Sequence, residues 1–297
     1  MAQQQGAGTA RDRLVLLGTK GGPFVGAYAP SPSANLLVHR GVAHVIDAGY
    51  GVTFKLIDAG LSPALIRNIF ITHHHSDHNL ELGPLIYNAW AAGLKNPIDA
   101  YGPAGIKALI AAYWDSNRFD IDTRIADEGR PDPRALVTTH EYAPGLVHAT
   151  ADLRVTALRN LHPPITESFA LKFELGGRTV VFSGDTAYFP PLAEFAKDAD
   201  YLIHEVMYGP AMAAVVRRTA NGATLLAHLE ASHTLPADVG RIAAAANVKT
   251  LVLNHLVPPT GFVFDGHTLT ADMWLEAVRT TFSGPVIVGR DLLELAI

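Results

Sequence analysis

Cysteine is absent from this chain of 297 residues. That excludes disulfides, thiolate catalysis and cysteine-bound zinc. Charge is also scarce, at 17% of residues against 48% hydrophobic, a globular rather than a disordered balance. Basic residues are the minority, 23 against 28 acidic, for a formal net charge of -5. Such a chain has no global attraction for a phosphate backbone, so composition points away from nucleic acid as a partner. No apolar run reaches the roughly 18–20 residues of a membrane span, and no membrane partner is expected. The opening stretch lacks the apolar centre of a signal peptide. Residues 1–12 read as a flexible terminus, of a cytoplasmic chain or of a mature exported one whose leader Met1 replaces. No internal repeat, low-complexity tract or linker divides the sequence, so 1–297 reads as one domain.

Histidine is abundant, with 14 copies. Several stand in short polar clusters between apolar runs. The apolar runs Leu14–Gly18, Asn35–His39 and Ala43–Asp47 read as strands, the last two joined as a hairpin at Arg40-Gly41. Helical patterns cover Val52–Ala59, Leu80–Ala92 and Ala104–Trp114, with Gly60 and Gly93 as stops. Strands are expected at Ile69–Thr72, Ile98–Tyr101, Val155–Arg159, Phe169–Glu174, Thr179–Ser183, Tyr201–His204, Thr250–Leu253 and Val286–Val288. Helices are expected at Leu192–Lys197, Ala237–Ala246 and Thr270–Thr281. Strands first, then strands alternating with helices, indicate an α/β protein with layered sheets. The charged stretch 115–144, with Pro131 and Pro133, reads as a lid or loop insertion.

The strand ending at Thr72 runs into His73, His75, Asp77 and His78, spaced His-x-His-x-Asp-His. Imidazole and carboxylate suit zinc, and also iron and manganese. Residues two apart in an extended segment share a side, so His73 and His75 could address one ion. A turn after Ser76 could aim Asp77 and His78 at a second. The bland alternative is a solvated loop.

Thr72–Asn79 resembles the signature of the metallo-β-lactamase-fold hydrolases. Asp47-Ala48-Gly49 is similar to the early Asp-x-Gly turn of that family, and His162, Asp185 within Ser183–Thr186, and His255 follow in its order. Each later match is weak alone. The resemblance implies a four-layer αββα sandwich over nearly the whole chain. It implies that His73, His75 and His162 bind one metal ion, that Asp77, His78 and His255 bind another, and that Asp185 bridges them. Two zinc ions are the expected cofactors. Two cations sharing a water lower its pKa from about 15.7 toward neutrality. Asp77 would orient that water or carry its proton. Asp47 could fix a histidine tautomer or simply cap its glycine-rich turn.

Tyr101-Gly102-Pro103, Asp200–Glu205 and Ser232-His233-Thr234 are closest to the ribonuclease Z and arylsulfatase-like group. There Glu205 and His233 would form a pair beside the metals, His233 delivering a proton to the leaving group; His233 reads equally as the neighbour of a helix cap. That group's tRNA-gripping arm would lie between His162 and Asp185, where few residues intervene. The expected substrate is therefore a small ester-like molecule: a lactone, carboxylic ester, sulfate ester or phosphodiester. RNA phosphodiester cleavage is the alternative within the family, with β-lactam hydrolysis as a main or side activity. From another class comes a redox or sensor protein that binds metal without hydrolysis, although the first motif lacks the acidic residue usual there. His74, Trp114, Phe119, Tyr208 and Phe264 are the candidate substrate contacts, and a homodimer is possible.

Overall fold

A computed structural model describes residues 11–27, 29–94 and 96–297. The first sheet contains β1 (Arg13–Gly18), β2 (Ala34–His39), β3 (Val42–Ala48), β4 (Ile66–Phe70), β5 (Ile98–Gly102), β6 (Val137–Glu141) and β16 (Leu293–Ala296). The second contains β7 (Gly145–Ala149), β8 (Leu153–Arg159), β9 (Phe169–Leu175), β10 (Arg178–Phe182), β11 (Tyr201–Met207), β12 (Thr250–Val257) and β15 (Val286–Val288). A hairpin of β13 (Val263–Phe264) and β14 (His267–Thr268) lies outside both. Their orders are β16-β1-β2-β3-β4-β5-β6 and β15-β12-β11-β10-β9-β8-β7. Each sheet is mixed. Neighbours from β16 to β3, and from β7 to β10, run antiparallel; β3 to β6, and β10 through β11 and β12 to β15, run parallel.

The central strands are apolar on both faces because both faces are covered. Leu14 and Leu16 of β1 enter the core between the sheets, with Leu37, Ile46, Phe70, Phe173 and Val252. Their neighbours Val15 and Leu17 point to the opposite side and pack with α1 (Val52–Asp58), α3 (Leu82–Ala91), α4 (Ile106–Ser116) and α5 (Arg118–Glu128). A short α2 (Ser76–Asn79) precedes α3. Beyond the second sheet lie α6 (Pro191–Phe195), α7 (Gly209–Val216), α8 (Gly222–Ser232), α9 (Pro236–Ala245) and α10 (Ala271–Arg279). Leu251 and Leu253 of β12 face this outer layer, which buries Trp274 and Val278 one helical turn apart on α10. Thr270 caps α10, its hydroxyl accepting from Met273 N at 3.3 Å. The result is helices, sheet, sheet, helices: the expected four-layer sandwich.

One segment differs from its expected form, and two others complete the picture. Residues 115–144 carry regular structure rather than a loop. They form α5, a short 3-10 turn at Pro133–Ala135 and β6, which extends the first sheet beside β5. The charges that suggested a loop are the outer face of α5, where Arg124 pairs with Asp120 and Glu128 one turn away on either side. Ile121 and Ile125 turn inward on the opposite face. Residues 209–232 form a helix pair, α7 and α8, whose weak polar contrast hides it in the sequence. Of the terminus, residues 1–10 lie outside the described residues, and Asp12 is held by His39 Nδ1 at 2.6 Å and Arg40 N at 2.7 Å.

Candidate metal centre

The first motif, the loop after β8 and the ends of β3, β10 and β12 meet along one edge of the sandwich. Two strand irregularities aim side chains there. On β3 the pairing with β2 steps from Ala48 to Ile46, leaving Asp47 as an extra residue with φ of 62°. On β12 the pairing with β11 steps from Asn254 to Leu256, leaving His255 extra with φ of 43°. Positive φ in a non-glycine residue costs on the order of 1–3 kcal/mol and clusters at functional sites. A bulge of this kind re-aims one side chain without disturbing the rest of the strand. Gly184 serves the same end. It has φ of 58°, and a Cβ there would stand 2.5 Å from Phe169 O, so only glycine lets the chain turn Asp185 inward.

Three groups of potential metal ligands result: His73, His75, His162 and Asp185; Asp77, His78, Asp185 and His255; and beside them Glu205, His233 and His255. In the first, His75 Nδ1 stands 3.0 Å from both His73 Nε2 and His162 Nε2. Nitrogens bound to zinc at about 2.0–2.1 Å in a tetrahedron would be about 3.3 Å apart, so this cluster is already near that size. His162 Nδ1 donates to Ser232 O at 3.0 Å, and His73 Nδ1 meets Thr72 Oγ1 at 3.1 Å. Those outward contacts leave Nε2 of each ring facing inward toward His75 Nδ1, an arrangement that a cation would satisfy. In the second group, His255 Nε2 lies 3.2 Å from both Asp77 Oδ2 and Asp185 Oδ2, and His78 Nε2 lies 3.3 Å from Asp185 Oδ1. His78 Nε2 and Asp185 Oδ1 are buried without a hydrogen-bond partner. Orphaned atoms of a carboxylate and an imidazole fit an ion between them. Asp185 also lies 3.9 Å from His73 and from His162, between the first two groups.

Electrostatics agree with this donor set. Burial holds His73 well below the usual histidine range and His75 down to about 4, in the neutral form that ligates. Burial alone would lower His78 too, but the carboxylates of Asp185, Asp47 and Asp77 together hold it well above its ordinary value. Groups that draw a proton onto His78 would draw a metal cation equally. Burial would raise Asp77 and Asp185, and the surrounding imidazoles instead hold both low.

The surrounding contacts are equally specific. Asp47 is buried and accepts from His78 Nδ1 at 2.7 Å, from Thr72 N at 2.8 Å and from Thr72 Oγ1 at 3.0 Å. Asp47 is therefore tied to both ends of the motif rather than only to its own turn. Glu205 accepts from Thr234 N at 2.7 Å and pairs with His233 Nδ1 at 3.1 Å. The His233 ring stacks on His255, centroids 5.7 Å apart. Burial pulls His233 down, but the Glu205 carboxylate outweighs it and holds the ring above its ordinary value.

A family profile described as Beta-lactamase superfamily domain matches residues 44–256, the span that holds every one of these groups. The chain belongs to the beta-lactamase superfamily. As a member of that superfamily it is a metal-dependent hydrolase. A protein named Ribonuclease Z from Mycobacterium bovis is 28% identical over 283 residues, 94% of this chain and 96% of that one. One of the same name from Mycobacterium marinum is 27% identical over 282 residues, again 94% and 96%. Among solved structures, the metallo-beta-lactamase fold protein YhfI from Bacillus subtilis superposes with a TM-score of 0.68 at 22% identity, covering 95% of this chain and 98% of that one. The short form of human tRNase Z gives 0.68 at 21%, covering 96% and 99%. These two likenesses show the superfamily fold.

One expectation is corrected. The exclusion of nucleic acid, with the small-molecule partner put in its place, does not stand. It rested on net charge and a missing arm, yet proteins named Ribonuclease Z match this chain over 96% of their own length. Those features therefore do not separate it from them. An apolar cavity of about 580 Å³ adjoins His75, Asp77, Asp185, His233 and His255, and none of the five expected residues lines it. Trp114 is buried beneath the first sheet's helices, and Phe119 is 88% exposed on α5. Tyr208 and Phe264 pack together, Tyr208 also against Trp274. His74 turns away from the centre toward Asn79 Nδ2 and Pro103 O, at 3.1 and 3.3 Å. The cavity wall comes instead from α7, α8 and the loop after β1. His228 and Lys20, which sequence reasoning missed, are among its residues. His228 had a signal, one turn before Ser232 on a helix ending at His233; Lys20 had none.

Proposed function

We propose that this chain is a metal-dependent phosphodiesterase that cleaves RNA, as the name of its ribonuclease Z relatives suggests. The observation that carries the reading is the Glu205–His233 pair standing beside a complete two-metal donor set. Two metal ions held there would polarise the phosphate and supply an activated water at neutral pH. The chain's own residues do the rest. His73, His75 and His162 would hold one ion and Asp77, His78 and His255 the other, with Asp185 available to both. Asp77 Oδ2, fixed by Gly22 N at 2.7 Å, is placed to orient the attacking water. A ribose oxygen is a poor leaving group unless it takes a proton as its bond to phosphorus breaks. His233 meets that need, because it lines the cavity and Glu205 occupies Nδ1, which leaves the other ring nitrogen for the proton transfer. Water oxygen joins phosphorus, the bond from phosphorus to the 3′ oxygen breaks, and that oxygen leaves as a hydroxyl.

The test is cleavage of precursor tRNA carrying a 3′ extension by protein reconstituted with zinc or manganese. Products with 3′-hydroxyl and 5′-phosphate ends are expected. His233→Ala should lower kcat by roughly 10²–10⁴-fold. Metal-loaded protein that leaves RNA intact while hydrolysing carboxylic esters or β-lactams would overturn the reading.

A further inference from the structure

The reaction as proposed uses the polar edge of the cavity and leaves its apolar wall unexplained. Met212 and Val215 of α7, Leu225 and Leu229 of α8, Phe24 of the loop after β1, and Phe262 surround about 580 Å³ that opens onto the metal centre. That volume lies within the roughly 300–1,000 Å³ of small-ligand sites. Leu225 and Leu229 stand one turn apart and present a single apolar face. Phe24 leaves 75% of its surface uncovered at the cavity. A polyanionic backbone has no place inside. Outside the metal centre, the charged side chain on the wall is Lys20, and its Nζ donates to the carbonyls of Gly21 and Gly22.

We propose that this cavity binds one unstacked nucleoside of the substrate, base inward, next to the scissile phosphate. The inference rests on the RNA reading above. A phosphate at the metals puts its neighbouring nucleosides within one bond of the cavity mouth. A nucleoside is the uncharged part of RNA, and a base removed from its stack exposes faces that apolar and aromatic side chains cover. Among its described residues the wall carries no asparagine, glutamine or arginine; Lys20 is engaged by the Gly21 and Gly22 carbonyls, which leaves Ser76 and His228 as the hydrogen-bonding side chains outside the metal centre that can reach a base edge. With so few such groups the site discriminates weakly among bases, and it favours unpaired RNA at the point of cleavage.

The test uses the full metal-loaded chain and three RNAs of one sequence. One is intact, one lacks the base just upstream of the cleaved bond, and one lacks the base just downstream. Losing the base that occupies the cavity should lower kcat/KM by about 5–150-fold, the range of one lost base contact. Exchanging that base for another natural base should change kcat/KM less than threefold. Leu225→Trp, which fills the cavity, should penalise the intact RNA at least fivefold more than the RNA lacking the relevant base. Equal cleavage of all three RNAs overturns the inference and leaves the phosphodiesterase reading standing. An equal penalty from Leu225→Trp on every RNA also overturns it. If no RNA is cleaved at all, the underlying reading fails and the inference falls with it.

Discussion

Replacing Asp47 tests whether an aspartate outside the ligand groups governs them. Its carboxylate is 3% exposed and receives three donors: His78 Nδ1, Thr72 N and Thr72 Oγ1. In Asp47→Ala those donors lose their acceptor inside the protein. Breaking a buried charged pair costs roughly 3–5 kcal/mol, and the backbone strain at φ of 62° remains because alanine also resists it. Asp47→Asn separates packing from proton placement. Its oxygen can still accept from Thr72, so its stability loss should be the smaller. Its NH2 then faces His78 Nδ1, donor to donor, and relief comes when the His78 proton moves to Nε2. That blocks the lone pair aimed at Asp185. Loss of such an orienting partner typically costs 10–100-fold in metal affinity, or about 1.4–2.7 kcal/mol. Competition titration with a coloured chelator, with metal analysis after dialysis, reads both ions. The ion at His78 should weaken in both variants, more than the one at His75. Asp47→Asn that keeps two ions, each within threefold of the parent affinity, would refute the reasoning.

Other outcomes follow from the same contacts. His44 is buried, accepts from Asn68 Nδ2 at 2.9 Å, and is held down to about 3 by burial and the nearby His148, His39 and Arg67. The unfolded chain therefore takes up a proton that the folded chain refuses, so this group costs stability as pH falls from about 6.5 toward 3. The share lost by pH 5 is about 2 kcal/mol, and urea melts of His44→Met should show a shallower loss over that interval. Ile121→Ala should destabilise by roughly 2–5 kcal/mol in thermal or urea melts, while the exposed Phe119→Ala stays within about 0.5 kcal/mol. Neither should change kcat/KM, because α5 does not line the cavity; a large change in the Phe119 variant would restore a role for that helix at the site. Gly184→Ala forces a Cβ against Phe169 O and should move Asp185. Metal analysis should find fewer than two tightly held ions in that variant.

The first motif was legible because its geometry is local. Two histidines alternate on an extended segment, and a turn follows within the same six residues. His162, Asp185 and His255 were legible only as an ordered set, since nothing in their own neighbourhoods separates them from loop and turn residues. The bulges that aim Asp47 and His255 leave no sequence pattern, because a bulge is a mismatch between partners distant in the chain. The strands of the central layers were readable from continuous apolar runs. Alternation was weaker at β6 and β7, which lie at the sheet edges and are half-exposed. Aromatic residues misled the search for the cavity. Trp114, Phe119, Tyr208 and Phe264 carry no direction in sequence, and the apolar wall is built instead from Phe24, Phe262, Met212, Val215, Leu225 and Leu229, beside glycines and prolines.

The ligand groups draw on both sheets, and that has a mechanical consequence. His75 and His162 are 87 positions apart, and Asp77 and His255 are 178 apart, yet each pair meets at 3.2 Å or less. In a chain without cysteine, an ion gripped at these points acts as a removable cross-link that closes long loops between the halves of the molecule. Unlike a disulfide, such a clasp is released on unfolding, so it stabilises by mass action on the folded chain. Catalytic ions would then double as staples. At a hundred times the dissociation constant, each ion adds about 2.7 kcal/mol to the folded state. Metal supply would set how long the protein survives as well as how fast it works.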